Sequence, residues 1–315
     1  MLYLASTIAF GGIVAVLLLA IDPYDTGRFA LFPSAGVPDF SQRLAAASLA
    51  RRVEFDTAII GNSTVQLLDP ARLGKASGRR VVSLTMAGSG PLEQLAVARW
   101  FLRHHPSKSL RGLIFGIDRS WCQAAGHVTL AHPFPFWLYS DSAVEYAVHL
   151  IQYRTIDAAI RKLKLQLGRV RAKRADGYDD YEAGRVWEAG EARQQSAEMI
   201  ALLKDDIAAG DFASLEPFRR FLAQLPPETM VVLVFPPRHH AGNGGASAAR
   251  LAACTRAYAK LAAARPRTRV LDFLARDDIA SRDENFWDLI HYRAPVARMI
   301  EADIAAILRD DTRNP

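Results

Sequence analysis

The amino-acid sequence predicts an α/β fold: three layers, α/β/α, built on a five-stranded, mainly parallel sheet. Three observations carry this. Five short β-like runs occur along the chain, and the first four are almost continuously apolar, as strands buried on both faces of a parallel sheet are. Stretches with helical periodicity separate them, the alternation expected of doubly wound proteins. The composition is that of a globular chain, half apolar and 23% charged over 315 residues, enough for one large domain or two small ones.

The β-like runs are FDTAII at 55–60, RVVSLTM at 80–86, GLIFGI at 112–117, MVVLVF at 230–235 and RVLDF at 269–273. Helical patterns cover about 91–105, 144–173, 189–208, 215–225, 247–264 and 294–309. The stretch 121–226 is too long for a simple crossover and reads as a helical insertion beside the sheet. It opens with the aromatic run HPFPFWLY at 132–139, whose His132 and Trp137 suit core packing better than an acyl or sugar platform. A basic helix comes next, with Tyr146, Leu150, Tyr153, Ile160, Leu163 and Leu167 as its apolar stripe.

Residues 1–21, MLYLASTIAFGGIVAVLLLAI, carry no charge and end at Asp22-Pro23, a sharp helix stop. About 20 apolar residues in a helix span roughly the 30 Å of a bilayer's hydrocarbon. A secretory signal has a basic start and a shorter apolar core. Residues 1–21 are therefore expected to be an uncleaved single-span anchor, residues 22–42 a connecting segment holding Pro23, Pro33 and Pro38, and residues 43–315 the folded domain. With no Lys or Arg before Arg28, the positive-inside rule has little to act on.

The formal net charge is +6, and much of it lies in one segment: Arg154, Arg161, Lys162, Lys164, Arg169, Arg171, Lys173 and Arg174. Such a stripe reads first as a solvated helix face. Anionic lipid or an acidic glycan are further partners for it, and no nucleic-acid motif accompanies it. Cys122 and Cys254 form no CxxC and have no nearby His at ligand spacing, so no metal or other cofactor is expected. Two buried free thiols are expected of them, with a disulfide as the alternative in an oxidising compartment.

The first β-run leads straight into Gly61-Asn62-Ser63-Thr64, where a glycine lets the chain turn sharply. Ser63 then stands either as a helix cap or as a nucleophile among backbone N–H groups. Near the other end, NFWDLIHY at 285–292 places Asp288 three residues before His291, ahead of the last helix. An Asp at that offset can hold one imidazole nitrogen and leave the other to take a proton from a serine, which is a poor nucleophile without such a base.

The strand followed by GNS, and WDLIH before the terminal helix, resemble the first and last blocks of the SGNH/GDSL hydrolase superfamily, and more narrowly its membrane-anchored bacterial cell-envelope members. The resemblance covers roughly 55–126 and 226–308. It implies a flavodoxin-like sheet, with Ser63 as nucleophile, His291 as general base and Asp288 as its orienting partner. It also implies an oxyanion hole from the N–H groups of Ser63 and of Gly88, with Gly90 as competitor. The third block departs from the pattern: Asp118 stands where the family has an oxyanion-donating Asn. Either Asp118 is protonated, or Asn62 or Arg119 supplies the donor, or the hole is weak. A purely structural role, capping its loop, is the other reading of Asp118. Asn62 and Arg119, with Arg238 and His239 after the fourth run, are the candidates for binding substrate, with surface histidines the preferred reading of His239 and His240.

Two functions are consistent with these residues. One is a membrane-anchored serine esterase or O-acyltransferase acting on acyl esters, acetyl foremost, of an envelope glycan or lipid-linked substrate. The setting this implies is the bacterial inner membrane with the domain in the periplasm. The other is a non-catalytic tethered module for polysaccharide modification or export, working with envelope protein partners.

Overall fold

Alternate residues of the apolar runs go to opposite faces of one sheet, the period expected of extended backbone. Ala58 and Ile60, Leu113 and Phe115, Val231 and Leu233 pack in one core. Ile59, Ile114, Val232 and Val234 pack in another. In the computed structural model, which describes residues 2–29, 31, 36–38, 41–125, 128, 130–202, 207–242 and 245–313, the five strands are β1 (Thr57–Ile60), β2 (Val81–Ser83), β3 (Gly112–Gly116), β4 (Met230–Phe235) and β5 (Thr268–Asp272). Their spatial order is β2-β1-β3-β4-β5 and every pairing is parallel. Pro33 of the connecting segment lies outside the described residues.

Helices cover both faces. In chain order they are α1 (Leu2–Ile21), α2 (Gln42–Leu49), α3 (Pro70–Ser77), α4 (Pro91–His104), α5 (Ala143–Leu150), α6 (Tyr153–Gln166), α7 (Ala189–Leu202), α8 (Leu215–Leu222), α9 (Gly245–Ala263), α10 (Asp277–Ala280) and α11 (Ala294–Arg313). Helices α3 and α11 pack together over the face of Ile59 and Ile114, whereas α4, α8 and α9 cover the other. The order 2-1-3-4-5 reverses direction between β1 and β3, and the crevice beyond the carboxyl ends of those strands is where such sheets place their sites.

Three expectations are corrected. The helix expected over 144–173 is two helices, broken at Ile151 and Gln152 and ending at Gln166. The break divides its apolar stripe: Tyr146 and Leu150 are buried, whereas Tyr153, Ile160, Leu163 and Leu167 are exposed because α6 turns Thr155, Ala158, Ala159 and Lys162 inward. Cys122 and Cys254 are not free thiols but a disulfide that ties the loop after β3 to α9. His239 is not at the surface; it is buried, with Nε2 3.0 Å from Asp283 Oδ1.

Helix α1 is long and apolar enough to cross a membrane, with mean hydropathy 2.5 and no charged residue. The chain after it is a built junction. Asp22 and Asp25 are buried with left-handed backbone (φ 46° and 52°). The Asp22 carboxylate accepts hydrogen bonds from Thr26 Oγ1, Gly27 N and Tyr146 Oη.

Candidate functional site

Strand β1 ends at Ile60, and Gly61 leaves room for the chain to turn back over it. A side chain at Gly61 would place its Cβ 2.3 Å from Val65 Cγ2, and one at Gly116, across the ladder, 2.6 Å from the same atom. The two glycines therefore let the 3-10 turn Ser63–Val65 fold down over the strand ends, with Val65 fully buried. Asn62 caps that turn, its Oδ1 accepting from Thr64 N (3.0 Å) and Thr64 Oγ1 (2.8 Å). Ser63 is left at the carboxyl edge of the sheet.

The second half of the site is a closed loop before α11. Phe286 bridges Tyr292, and Trp287 N donates to His291 O at 2.8 Å, so the segment between them cannot splay. Inside it, Asp288 Oδ1 accepts from the N–H groups of Ile290 and His291, both at 2.8 Å. Asp288 Oδ2 lies 2.6 Å from His291 Nδ1, and His291 Nε2 lies 2.8 Å from Ser63 Oγ. The three side chains, 228 residues apart at the extremes, thus form one hydrogen-bonded chain. Burial pushes the Asp288 carboxyl up, but the His291 imidazole and the two N–H groups outweigh it and hold the acid below the usual carboxylate range. An ionised Asp on Nδ1 keeps the proton there and leaves Nε2 as acceptor toward Ser63.

The helical insertion braces this loop. Glu182 Oε1 accepts from Trp287 Nε1 (2.6 Å) and its Oε2 from Ala294 N (2.8 Å). Trp187 Nε1 donates to Phe286 O, and Tyr181 Oη donates to Tyr292 O. The Tyr181 ring stands edge-on to the His291 imidazole, 5.6 Å between centroids. Burial pushes the Tyr181 hydroxyl well above its ordinary range, so it stays a neutral donor. Sequence reasoning missed these residues; the only signal was the density of aromatic and acidic side chains at 178–188.

The remaining candidates separate. Gly90 caps α4, and its N–H is committed to Glu93 Oε2 at 2.6 Å. Gly88 adopts φ 65°, and a side chain there would press within 3.2 Å of the His132 ring, so glycine fits both the turn and the crowding. Asp118 accepts from Ser120 N (3.2 Å) and Oγ (2.6 Å) on one oxygen and from Asn62 Nδ2 (2.7 Å) on the other. Asn62 Nδ2 also reaches Ser89 O at 3.3 Å. Asn62 therefore ties together the loops after β1, β2 and β3. Loss of solvent pushes the Asp118 carboxyl up, against the lowering effect of its hydrogen bonds and of the nearby Arg238 charge.

A mostly apolar cavity of about 310 Å³ is lined by Thr64 and Ile290, the chain neighbours of Ser63 and His291, together with Ile117, Phe235 and Leu251; Ser63 and His291 themselves are not in its wall. Asp118, Arg119 and the buried Arg238 supply its polar side. Arg119 Nη1 also donates to Ser247 Oγ. His239 does not line this cavity; with Asp283 it lines a separate hollow of about 330 Å³. Among the described residues no group of three or more His, Cys, Asp or Glu could hold a metal ion. Compared with known proteins, the chain matches no family model, and no curated protein matches it.

Proposed function

We propose that this chain is a membrane-anchored serine esterase or O-acyltransferase of the SGNH type, acting on acyl esters of an envelope glycan, acetyl foremost. The observation that carries the reading is the unbroken relay Ser63 Oγ to His291 Nε2 and His291 Nδ1 to Asp288. A strand-end serine used only as a cap has no need of an imidazole at 2.8 Å that is itself oriented by a carboxylate. Ser63 Oγ attacks the acyl carbonyl carbon while its proton passes to His291 Nε2. The tetrahedral oxyanion collapses, and the leaving alcohol departs with that proton. A water or a sugar hydroxyl, deprotonated by the same imidazole, then attacks the acyl-serine carbonyl; the acyl–Oγ bond breaks, and Ser63 Oγ takes the proton back from His291 Nε2. Ser63 N–H and Gly88 N–H are the proposed oxyanion donors; Asp118 in its protonated form adds a third.

The setting is a single α1 span in a bacterial inner membrane, with the domain in the periplasm. The length and apolarity of α1 and the Cys122–Cys254 disulfide, a bond of oxidising compartments, support it. The second reading, a tethered non-catalytic assembly module, draws on Asp118, whose ionised form repels an oxyanion and which engages Asn62. Release of acetate from acetylated glycans separates the two. The wild type releases acetate and Ser63→Ala does not; release by neither favours the module, and equal release by both overturns Ser63 as the nucleophile.

A further inference from the structure

Helix α6 and its C-cap residue carry Tyr153, Ile156, Ile160, Leu163 and Leu167 at alternating steps of three and four, a single side of the helix. All five are exposed, Tyr153 at 86% and Leu167 at 68%. Helix α5 and the residue after it repeat the pattern with Val144, Val148 and Ile151, each more than 60% exposed. Scattered exposed apolar residues are ordinary, but a continuous stripe marks a surface that meets something.

Position says what it meets. Helices α5 and α6 both pack on α1, whose Leu18 is buried in the shared core and whose Val14, Leu19 and Ile21 pack against it. The junction is fixed from the same two helices. Tyr146 Oη donates to Asp22 Oδ1 at 2.6 Å, Lys162 Nζ donates to Asp22 O at 2.7 Å, and Lys162 pairs with Asp25 at 3.2 Å. Helices bonded to the first residue beyond a membrane span lie at the level where that span leaves the hydrocarbon. Beside the apolar stripe stand Arg154, Arg161, Lys164, Arg169 and Arg171, all exposed. An apolar side with basic flanks is the chemistry of a helix lying in the interface of an anionic bilayer.

We infer that α5 and α6 are a second membrane contact, seated in the headgroup–acyl boundary beside α1, with their basic side chains on lipid phosphates. This rests on α1 being a span, so the test reads the two separately. Because Cys122 and Cys254 are paired, one introduced thiol is a unique label site. Full-length Ile160→Cys, Val186→Cys (exposed, on the segment that braces the Asp288–His291 loop) and Phe10→Cys are labelled with a polarity-sensitive dye in phosphatidylcholine–phosphatidylglycerol vesicles. Shallow nitroxide lipid quenches the Ile160 label severalfold more than the Val186 label, and aqueous iodide does the reverse. In phosphatidylcholine alone, nitroxide quenching at Ile160 weakens; undiminished quenching there overturns the phosphate contact. An Ile160 label as open to iodide as Val186 overturns the inference. A label shielded from both quenchers overturns it in favour of a second copy of the chain on the stripe. Deep nitroxide quenching at Phe10 reports the span itself. Its loss defeats the anchor reading, whereas its presence with an iodide-open Ile160 defeats the α5–α6 contact alone.

Discussion

Replacing Asp288 by Asn separates a catalytic relay from a structural one, because it changes almost no atoms. Asp288 Oδ1 accepts two backbone N–H groups, from Ile290 and His291. An Asn must keep its carbonyl oxygen there, since its NH₂ would face two donors. The NH₂ is then forced onto His291 Nδ1, which becomes an acceptor. The proton moves to Nε2, the nitrogen 2.8 Å from Ser63 Oγ, and the imidazole can no longer accept the serine proton. A wrong tautomer with intact geometry costs such a relay about 10⁴-fold in rate, or roughly 5 kcal/mol of transition-state stabilisation. The assay is turnover of an activated acetyl ester by wild type and Asp288→Asn at matched folded concentration, with folding checked by urea denaturation. Stability gives a second readout. The Asp288 carboxyl ionises below the range of an unfolded aspartate, because its imidazole and N–H partners outweigh its burial. Its contribution is therefore present above that range and lost as pH falls through the folded value. The stability difference between the two proteins should close on acidification. Wild-type turnover by Asp288→Asn would refute the tautomer argument.

Other perturbations test the scaffold. Glu182→Gln leaves either Trp287 Nε1 or Ala294 N without its acceptor, at about 1–3 kcal/mol, and should lower kcat in the ester assay more than it changes KM. Gly61→Ala drives a methyl into Val65 and should destabilise by about 1–3 kcal/mol in urea denaturation. Adding Val65→Ala should make the double loss smaller than the sum, and strict additivity would refute the packing account. Reducing Cys122–Cys254, which closes a loop across 132 positions, should cost about 4–5 kcal/mol by the chain-entropy argument, read as a lower Tm with dithiothreitol that the double Cys→Ala variant does not show.

The strands were legible because a parallel sheet buries both of its faces, so MVVLVF needs no context to be read as one. The second strand was over-read. Leu84 N and Met86 N still bond Ile59 O and Gly61 O, but beyond Ser83 the chain is already turning toward Gly88. Ser63, Asp288 and His291 were legible because each lies in a short local motif at an element boundary. The broken α5–α6 helix was not, for its stripe runs through Ile151 without glycine or proline, and the break answers tertiary contacts at Asp22. The disulfide was not, because its cysteines follow no motif spacing and meet only when α9 packs beside the loop after β3. Nor was the brace from Tyr181, Glu182 and Trp187, since side chains about 100 positions away support the His291 loop only through the fold.

The most direct test is labelling by a serine-reactive fluorophosphonate with the adduct mapped by peptide mass spectrometry. The relay predicts one adduct, on Ser63, absent in Ser63→Ala and slowed by orders of magnitude in His291→Gln. No adduct on the folded wild-type protein, or one whose rate ignores His291, would contradict it.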